Sequence, residues 1–265
     1  MNRIERRFSE LKKNNRQAFI AFITAGYPDL ESTEQLAREF DRIGVDILEL
    51  GVPFTDPLAD GQIIQEASLE ALKKNVMLPD ILDLVKRIRA FSDIPICLMS
   101  YYNPIFCFPE QAFVKQAHLA GVDGVIIPDL PPEEGRGLIS QAKAFNLDTI
   151  FFVSPTTSLE RIKFISEIST GFIYYVSLTG VTGARKILPR DLKDNLKRIK
   201  KLTDKPVCVG FGVSDSAQVK EVFKIADGAI VGSAIVKKIK ENIGNPDLVK
   251  RVSGFVSRLK GDSLV

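Results

Sequence analysis

The sequence predicts an α/β protein, a (β/α)8 TIM barrel with extra helices at the N-terminus and in the loops. Eight short apolar runs rich in β-branched residues recur along the chain, and segments with helical spacing of apolar residues lie between them. Most of these runs are apolar throughout instead of alternating, which is typical of parallel strands covered on both faces. Eight strand–helix alternations favour a closed barrel over the alternative, a doubly wound sheet.

The predicted elements follow one another without a break in pattern. The eight predicted strands are 18–24, 45–51, 94–100, 124–129, 148–154, 171–177, 205–212 and 227–233. Two helical stretches, 62–74 and 78–91, lie between the second and third strands, and the N-terminal segment and 246–260 predict further helices. The chain has the length of one barrel and contains neither a linker nor a low-complexity segment. A single domain over residues 1–265 is therefore expected.

The composition excludes several classes of function. Hydrophobic residues make up 45% of the chain and charged residues 26%, and a net charge of +3 is too small to indicate a nucleic acid or a membrane surface as partner. No apolar run reaches the roughly 18 residues of a membrane span, and the charged N-terminus lacks the apolar core of a signal peptide. A cytoplasmic protein is expected. The three cysteines, Cys97, Cys107 and Cys208, are scattered along the chain. This spacing favours reduced thiols over a disulfide or a metal site.

The ends of the predicted strands carry the candidate chemistry, because in such barrels the active site forms where strands end and loops begin. The residues at these ends are Thr24, Glu49, Ser100, Asp129, Ser154, Ser177, Gly210–Gly212 and Gly232–Ser233. The absence of lysine there argues against Schiff-base chemistry. The single histidine, His118, lies in a helical stretch, where a packing or surface role is expected. Without a His/Cys cluster no transition-metal site is predicted, and proton transfer falls to carboxylates.

The stretch ILELGVPFTDPLADG, residues 47–61, places an acid inside an apolar strand. Strand alternation puts Glu49 on the inward face near the top of the barrel, where an apolar pocket raises a carboxyl pKa toward neutrality. Asp60 lies in a loop stiffened by Pro53 and Pro57 and can fold back over the same pocket. Two acids in different surroundings can divide the acid and base roles. The alternative is an ion-paired Glu49 and a turn residue at Asp60.

Glycines follow the last three predicted strands, in LTGVTGAR (178–185), GFGVS (210–214) and VGSA (231–234). Phosphate sites in these barrels form from the last loops and a short helix N-terminus, whose N–H groups face the anion. Glycine allows the backbone to approach closely, and Ser233 is expected to cap the helix. A small phosphorylated substrate is predicted; the alternative is that these glycines serve as turns.

Aromatic and apolar side chains near the predicted strand tops indicate a flat, apolar moiety beside the phosphate. These side chains are Phe22, Met99, Tyr101, Ile126, Phe152, Tyr174 and Phe211. Each of them alone is more typical of a core residue. Taken together they predict a ring-binding pocket.

Five motifs along the chain resemble one protein family. They are ELGVPFTDPLADG, YYNPIF, PDLPPEE, YYVSLTGVTGAR and GFGVS…GSAIVK. On these motifs the chain is similar to the α subunit of tryptophan synthase, from the N-terminal helix to the last. The resemblance implies a barrel enzyme that cleaves indole-3-glycerol phosphate to indole and glyceraldehyde 3-phosphate without a metal or cofactor of its own. It also implies an αββα complex with a pyridoxal-phosphate β subunit, which receives indole through a tunnel.

The resemblance assigns roles to individual residues. Glu49 would move protons to and from the substrate, and Asp60 would bind the indole N–H and stabilise the developing positive charge. The implied phosphate ligands are Gly183, Phe211, Gly212, Gly232 and Ser233, and the implied indole pocket contains Phe22, Met99, Tyr174 and their neighbours Tyr101, Ile126 and Phe152. A mobile lid is expected in the loop with Gly180, Thr182 and Arg185. The rim expected to face the partner contains Pro53, Asp56, Asn103, Phe106 and Asp129.

Two other functions are compatible with these residues. The chain could be another phosphate-binding barrel, such as a sugar-phosphate isomerase running on an acid/base pair. It could also be a regulatory subunit that binds a phosphorylated indole without catalysis, which the intact Glu49 and Asp60 argue against. Gln62 stands where the family commonly has proline, and a looser Asp60 loop is the expected consequence.

Overall fold

The computed structural model describes residues 1–176, 191–210 and 212–261, in which nine parallel strands are surrounded by twelve helices. The strands are β1 (Ala18–Thr24), β2 (Ile47–Gly51), β3 (Ile96–Met99), β4 (Gly124–Ile126), β5 (Asp148–Ile150), β6 (Phe152–Val153), β7 (Ile173–Val176), β8 (Val207–Gly210) and β9 (Gly228–Val231). The helices are α1 (Arg3–Lys13), α2 (Leu30–Arg42), α3 (Gln62–Lys73), α4 (Leu78–Arg89), α5 (Tyr102–Cys107), α6 (Glu110–Ala120), α7 (Arg136–Ala144), α8 (Leu159–Ile168), α9 (Leu192–Lys200), α10 (Ser216–Phe223), α11 (Ser233–Lys240) and α12 (Leu248–Lys260).

The sheet closes into a barrel through a strand that is divided in two. Its order is β5-β4-β3-β2-β1-β9-β8-β7-β6, and its two end strands are separated in the chain only by Phe151. β5 pairs with β4, β6 pairs with β7, and the amide of Tyr174 donates to the carbonyl of Phe151 over 3.0 Å. The predicted (β/α)8 barrel is confirmed, with its fifth strand in two pieces.

Each of the eight predicted runs contains an observed strand, and the observed strands are shorter because only the paired residues of a run belong to the ladder. The two helices predicted between the second and third strands are present as α3 and α4, and the two extra terminal helices as α1 and α12. The six-residue α5 was not predicted, because six residues are too few for a periodic apolar signal. Among the helices of the described ranges, none is long and apolar enough to cross a bilayer.

The strands are buried on both faces, which explains their continuous apolar sequences. All seven residues of β1 are buried, as are all five of β2. One face of each strand packs inside the barrel and the other packs under the helices, where large side chains such as Phe19, Phe40 and Phe113 are fully enclosed. An acid on the inner face of β2 therefore lies in the barrel core instead of at the surface.

Three aspartates tie neighbouring strands together at the N-terminal end of the barrel. Asp46, just before β2, accepts a hydrogen bond from the amide of Phe19 over 2.9 Å. Asp123, just before β4, does the same for Ile96 over 2.9 Å, and Asp227 for the first residue of β8 over 2.9 Å. Each aspartate precedes one strand and binds the amide of the strand beside it. These bonds hold the strand register at the end of the barrel opposite the loops that follow the strands.

Asp123 is also the centre of a charge cluster that joins α1 and α4 to the barrel. Its carboxylate accepts from the guanidinium groups of Arg89 at 2.8 Å and Arg3 at 3.2 Å. The Asp123 side chain is 3% exposed and that of Arg89 is 11% exposed, so this pair is largely desolvated. A buried ion pair becomes strongly destabilising when one partner is removed.

We expect Asp123→Ala to lower the free energy of unfolding by about 3 kcal/mol, because Arg89 would keep its carbonyl partners but lose its counter-charge. Urea denaturation at neutral pH measures this change. The matched control is Asp93→Ala, which removes an 80%-exposed partner of Arg3 and should cost no more than about 0.5 kcal/mol. Equal losses in the two variants would contradict the structural role of Asp123.

Candidate active site

A cavity of about 530 Å³ opens at the C-terminal end of the barrel, the end where such barrels carry their active sites. Its volume is in the range of sites that enclose small organic molecules. Residues from β1, β2, β3, β7 and β9, from α3 and α11, and from the loops that follow β2, β8 and β9 line it. Among them are Phe22, Glu49, Asp60, Met99, Tyr174, Gly212, Ile230, Gly232, Ser233 and Lys237. The cavity therefore brings together acids, apolar side chains and glycines that lie far apart in the sequence.

Glu49 lies on the lining of this cavity and is fully buried. Within the described part of the chain, neither of its carboxyl oxygens has a hydrogen-bond partner, and it joins no ion pair. Burial raises the pKa of Glu49 from its ordinary value of 4.5 to about 8, and the nearby charge of Asp60 adds to this rise. At neutral pH the group is therefore mostly a neutral carboxylic acid, able to donate a proton. The alternative of an ion-paired Glu49 finds no support among the described residues.

Asp60 lies in the same cavity and is 6% exposed. Burial raises the pKa of Asp60 to about 6, and a hydrogen bond of 3.1 Å that the Tyr101 hydroxyl donates to its Oδ2 opposes that rise. Oδ1 is buried and has no partner within the described ranges. At neutral pH Asp60 is mostly ionised while Glu49 is mostly protonated. The two acids thus differ in protonation, the pattern in which one can act as an acid and the other as a fixed negative charge.

The loop that carries Asp60 is anchored at several points. The Tyr101 hydroxyl accepts from the amide of Ala59 over 2.9 Å, and its ring stacks on Phe54 with 5.2 Å between the ring centroids. The side chain of Gln65 donates to the carbonyl of Asp60 over 2.9 Å. These contacts hold the loop against the barrel both at its start, near Phe54, and at its end, near Asp60.

Gln62, at the position where the resemblance implies a proline, is the first residue of α3 and lies on the lining of the cavity. Its amide donates to Glu66 one helical turn away, over 2.9 Å. Glu66 in turn pairs with Lys240 of α11. The effect of Gln62 on the Asp60 loop stays a prediction.

Three of the six residues predicted for the ring pocket line the cavity, namely Phe22, Met99 and Tyr174. The other three lie next to that lining without forming part of it. Ile126 is the strand neighbour of Met99, and the ring of Phe152 packs against that of Tyr174 with centroids 4.8 Å apart. Tyr101 contacts Asp60 and its loop instead. Ile126 and Phe152 thus lie behind the wall and Tyr101 lies against the Asp60 loop, a distinction that position along a strand does not reveal.

Several glycines near the cavity make room for its aromatic rings. A Cβ placed on Gly51 would lie 2.6 Å from Cζ of Phe22, and one on Gly210 would collide with the Tyr174 ring. A Cβ on Gly232 would lie 3.1 Å from the Phe22 ring. Cβ contacts as short as the first two essentially do not occur in proteins, and the third would require the Phe22 ring to move slightly. Gly232 therefore has a packing role in addition to the phosphate role predicted for it.

The other end of the cavity is formed by Gly212, Gly232 and Ser233. Gly212 has φ +81, a conformation that favours glycine. The prediction that Ser233 caps α11 is wrong, because Gly232 occupies the N-cap with a non-helical backbone and Ser233 is the first helical residue. The first N–H groups of a helix have no intrahelical partner and can bind an anion. The remaining predicted phosphate ligands, Gly183 and Phe211, lie outside the described residues.

Two lysines on the cavity lining were not predicted. Lys237 and Lys238 belong to α11 and line the cavity. Lys237 lies four positions after Ser233 and therefore on the same helix face, which is a signal that the sequence contained. Lys238 pairs with Glu241 over 3.1 Å. Because Glu241 also lines the cavity and balances the charge of Lys238, it is Lys237 that adds positive charge beside Ser233.

The predicted partner-facing rim is only partly exposed. Asp56, Asn103, Phe106 and Asp129 are exposed, on the loops and the short helix that follow β2, β3 and β4. Pro53 is buried, and its role at the partner interface stays a prediction. The sequence analysis missed Leu58, which is 93% exposed.

Two further predictions concern the lid loop and the absence of a metal site. The expected lid residues Gly180, Thr182 and Arg185 lie outside them. Within them, no group of three or more His, Cys, Asp or Glu side chains is arranged to hold a metal ion.

The geometry defines a class of protein. A protonated and an ionised carboxyl group face one cavity at the C-terminal end of a (β/α)8 barrel, between an apolar wall and a glycine-lined helix start. A barrel with such a cavity at the C-terminal ends of its strands is typical of enzymes that act on small molecules.

Comparison with known proteins identifies the family. The family model for the tryptophan synthase alpha chain matches residues 8–261. A tryptophan synthase alpha chain from Geotalea uraniireducens (strain Rf4) is 47% identical over 260 residues, covering 98% of this chain and 97% of that protein. One from Thermoanaerobacter pseudethanolicus (strain ATCC 33223 / 39E) is 45% identical over 260 residues, with 98% and 99% covered. The chain belongs to the tryptophan synthase alpha chain family.

Solved structures agree with this assignment. The tryptophan synthase subunit alpha of Legionella pneumophila str. Paris superposes with a TM-score of 0.92 at 36% identity, covering 98% of each chain. A chain from the structure of the tryptophan synthase a2b2 complex of Pyrococcus furiosus superposes with a TM-score of 0.86 at 39% identity, covering 92% of this chain and 98% of that one.

The fit between Gly51 and Phe22 can be tested by a double-mutant cycle. We expect Gly51→Ala to lower the free energy of unfolding by about 1–3 kcal/mol, because the new methyl group meets the Phe22 ring. Phe22→Leu removes the colliding ring atom, so the double variant should lose at least about 0.5 kcal/mol less than the sum of the single variants. Gly137→Ala is the control, since its nearest neighbouring atom is 3.5 Å away. Strict additivity would show that the two residues do not depend on each other.

Proposed function

We propose that Glu49 and Asp60 carry the reaction of this family, the retro-aldol cleavage of indole-3-glycerol phosphate to indole and glyceraldehyde 3-phosphate. This carbon–carbon lyase step belongs to tryptophan biosynthesis. The observation that carries the proposal is the pair of buried acids, which share one cavity and differ in protonation at neutral pH. The apolar wall suits the indole ring, and the glycine-lined helix start suits the phosphate.

Glu49 moves the protons. As a neutral acid it donates a proton to indole C3, which converts the ring into an iminium-like electron sink. The bond between C3 and the glycerol chain then breaks, and its electron pair restores the aromatic ring. The hydroxyl on the glycerol carbon loses its proton to the Glu49 carboxylate and becomes the aldehyde. One proton is added and one is removed, so the acid returns to its starting form.

Asp60 stabilises the charge that appears in this step. The protonated indole carries positive charge that is shared with the ring nitrogen, and an ionised carboxylate facing the N–H lowers the energy of that state. The unpartnered Oδ1 of Asp60 is the oxygen available for this contact within the described ranges. Because Asp60 is desolvated, its charge acts more strongly than it would in water.

The phosphate end orients the substrate. Gly212, Gly232 and Ser233 line that end of the cavity, and Lys237 lies one helical turn from Ser233. Gly183 and Phe211 complete the proposed set of ligands. Holding the phosphate at one end fixes the distance from the glycerol hydroxyl to Glu49, which contributes to rate by orientation alone.

The decisive experiment measures products from indole-3-glycerol phosphate. We expect equal amounts of indole and glyceraldehyde 3-phosphate from the unaltered protein, and a rate lower by at least about 100-fold in Glu49→Gln. Asp60→Asn should also lose turnover, because an amide can accept the indole N–H but carries no charge. Glu70→Gln, a surface change on α3, is the control. A sugar-phosphate isomerase would release neither product, and normal turnover in Glu49→Gln would remove this residue from the mechanism.

Burial of Glu49 also predicts how stability varies with pH. Its folded pKa of about 8 exceeds the ordinary value of 4.5, so the folded protein binds this proton more tightly than the unfolded chain. The resulting stabilisation is complete below pH of about 4.5 and is lost as the pH rises through about 8. Glu49→Gln has no proton to lose, so its thermal midpoint relative to wild type should rise between about pH 5 and about pH 9. A constant difference across that range would exclude this protonation change.

We extend the proposal to assembly with a tryptophan synthase β subunit in an α2β2 complex. The similar Pyrococcus furiosus chain comes from such a complex. Leu58 and Phe106, which are 93% and 65% exposed, lie on the segments that follow β2 and β3, at the C-terminal end of the barrel. Large apolar side chains in such a position are typical of an interface. Pyridoxal phosphate would be held by that β subunit, and the alpha reaction requires no cofactor in this chain.

A charged residue on this rim should weaken the assembly. We expect Leu58→Asp and Phe106→Asp each to weaken binding of a β subunit by at least about tenfold, because an apolar contact is replaced by a desolvated charge. Leu119→Asp is the matched control, since Leu119 is 61% exposed in the last turn of α6 and thus at the opposite end of the barrel. Analytical ultracentrifugation with a competent β subunit measures the change. Equal weakening by the Leu119 variant would show that the contact lies elsewhere.

A cytoplasmic location completes the proposal. Cys97, Cys107 and Cys208 are all free thiols, and Cys107 is exposed. Free cysteines of this kind suit a reducing compartment.

A further inference from the structure

We infer that Tyr101 is a positioning residue for Asp60, which holds one carboxylate oxygen and so presents the other to the substrate. This inference rests on the proposed role of Asp60. Tyr101 was expected in the wall of the ring pocket, but it lies behind the Asp60 loop and is 4% exposed. Its hydroxyl is the feature that matters, because it lies between the loop backbone and the acid.

The Tyr101 hydroxyl makes two hydrogen bonds whose directions are set by chemistry. It accepts from the amide of Ala59 over 2.9 Å, and an amide can only donate. Asp60 Oδ2 lies 3.1 Å away, and an ionised carboxylate can only accept. The hydroxyl proton is therefore directed at Oδ2. The residue next to Asp60 and the acid itself are held by the same oxygen atom.

The ring that carries this hydroxyl is itself fixed. Tyr101 follows β3 directly and is the N-cap of α5, and its carbonyl accepts from the hydroxyl of Ser100 over 2.9 Å. The ring stacks on Phe54, where the Asp60 loop begins. Four residues in the outer part of this loop are exposed: Thr55, Asp56, Leu58 and Ala59. A loop with so much exposed chain depends on the few inward contacts it makes, and Tyr101 supplies three of them.

The two oxygens of Asp60 differ as a result. Oδ2 is occupied by Tyr101, whereas Oδ1 is buried and unpartnered within the described ranges. The titratable groups whose charges interact with Asp60 in those ranges are Glu49 of β2, Tyr101 and Tyr174 of β7. None of them is a cation, so the Tyr101 hydrogen bond is the contact that favours the ionised form of Asp60 against burial.

Removing the hydroxyl should therefore change both the position and the charge of Asp60. In Tyr101→Phe the ring can still stack on Phe54, but the amide of Ala59 and Oδ2 lose their shared partner. We expect kcat to fall by about 10-fold or more with KM changed by less than about threefold, since the lost contact acts in the charged transition state. The pKa of Asp60 should rise further, and the acidic limit of the pH–rate profile should move upward by roughly one unit.

The test compares Tyr101→Phe with Tyr102→Phe, the same change at the next residue, whose hydroxyl bonds to Glu110 on the rim. The kcat loss and the shifted acidic limit should appear only in the Tyr101 variant. In an Asp60→Asn background the Tyr101 change should cost little more, because the two residues act together. Independent effects, or an unmoved acidic limit, would overturn the inference.

A second measurement separates this inference from the proposed function. Carbon-13 NMR of labelled aspartate follows the titration of Asp60 in the free protein, without any substrate. An upward shift of that titration in Tyr101→Phe, relative to Tyr102→Phe, supports the inference directly. An unshifted titration overturns it even if the protein is an active lyase. Failure of the unaltered protein to release indole would instead overturn the proposed function.

Discussion

The structure depends on one costly arrangement, two carboxyl groups buried together without a cation beside them in the described ranges. Charged groups in a barrel core are normally paired, because desolvation disfavours the ionised form. Here the desolvation penalty is reduced because the two groups differ in protonation. Glu49 has the drier position and retains its proton near neutral pH, whereas Asp60 has the Tyr101 hydroxyl and remains ionised. The same desolvation that destabilises the pair makes each acid suitable for the role proposed for it.

Burying two acids lowers the stability of the fold, so other contacts in the barrel must compensate for it. At the opposite end of the barrel, Asp46, Asp123 and Asp227 tie neighbouring strands together through hydrogen bonds to backbone amides. These aspartates have donors, and two of them pair with an arginine or a lysine at 3.2 Å or less, so they stabilise the fold. The barrel thus separates acids that hold strands from acids that face a cavity. Backbone hydrogen bonding distinguishes the two groups, since both consist of carboxylates near strand ends.

The architecture was largely predictable from the sequence, and the site only in part. Apolar runs of the right length predicted every strand, but not the division of the fifth at Phe151, because pairing to two different neighbours leaves no trace in composition. Glu49 and Asp60 could be predicted as candidates, since acids in such positions are unusual. The support role of Tyr101 could not, because it depends on where an irregular loop returns to the barrel.

The sequence by itself determined the fold class, the family and the residue types available at the strand ends, because these follow from periodicity and local motifs. Only the tertiary structure decided how those residues work. It buried Glu49 without a partner in the described ranges, gave Asp60 one, placed Gly51 and Gly232 against the Phe22 ring, and turned Lys237 toward the cavity. A pKa and a ring position depend on neighbours brought from other strands, and the order of residues along the chain does not contain those distances.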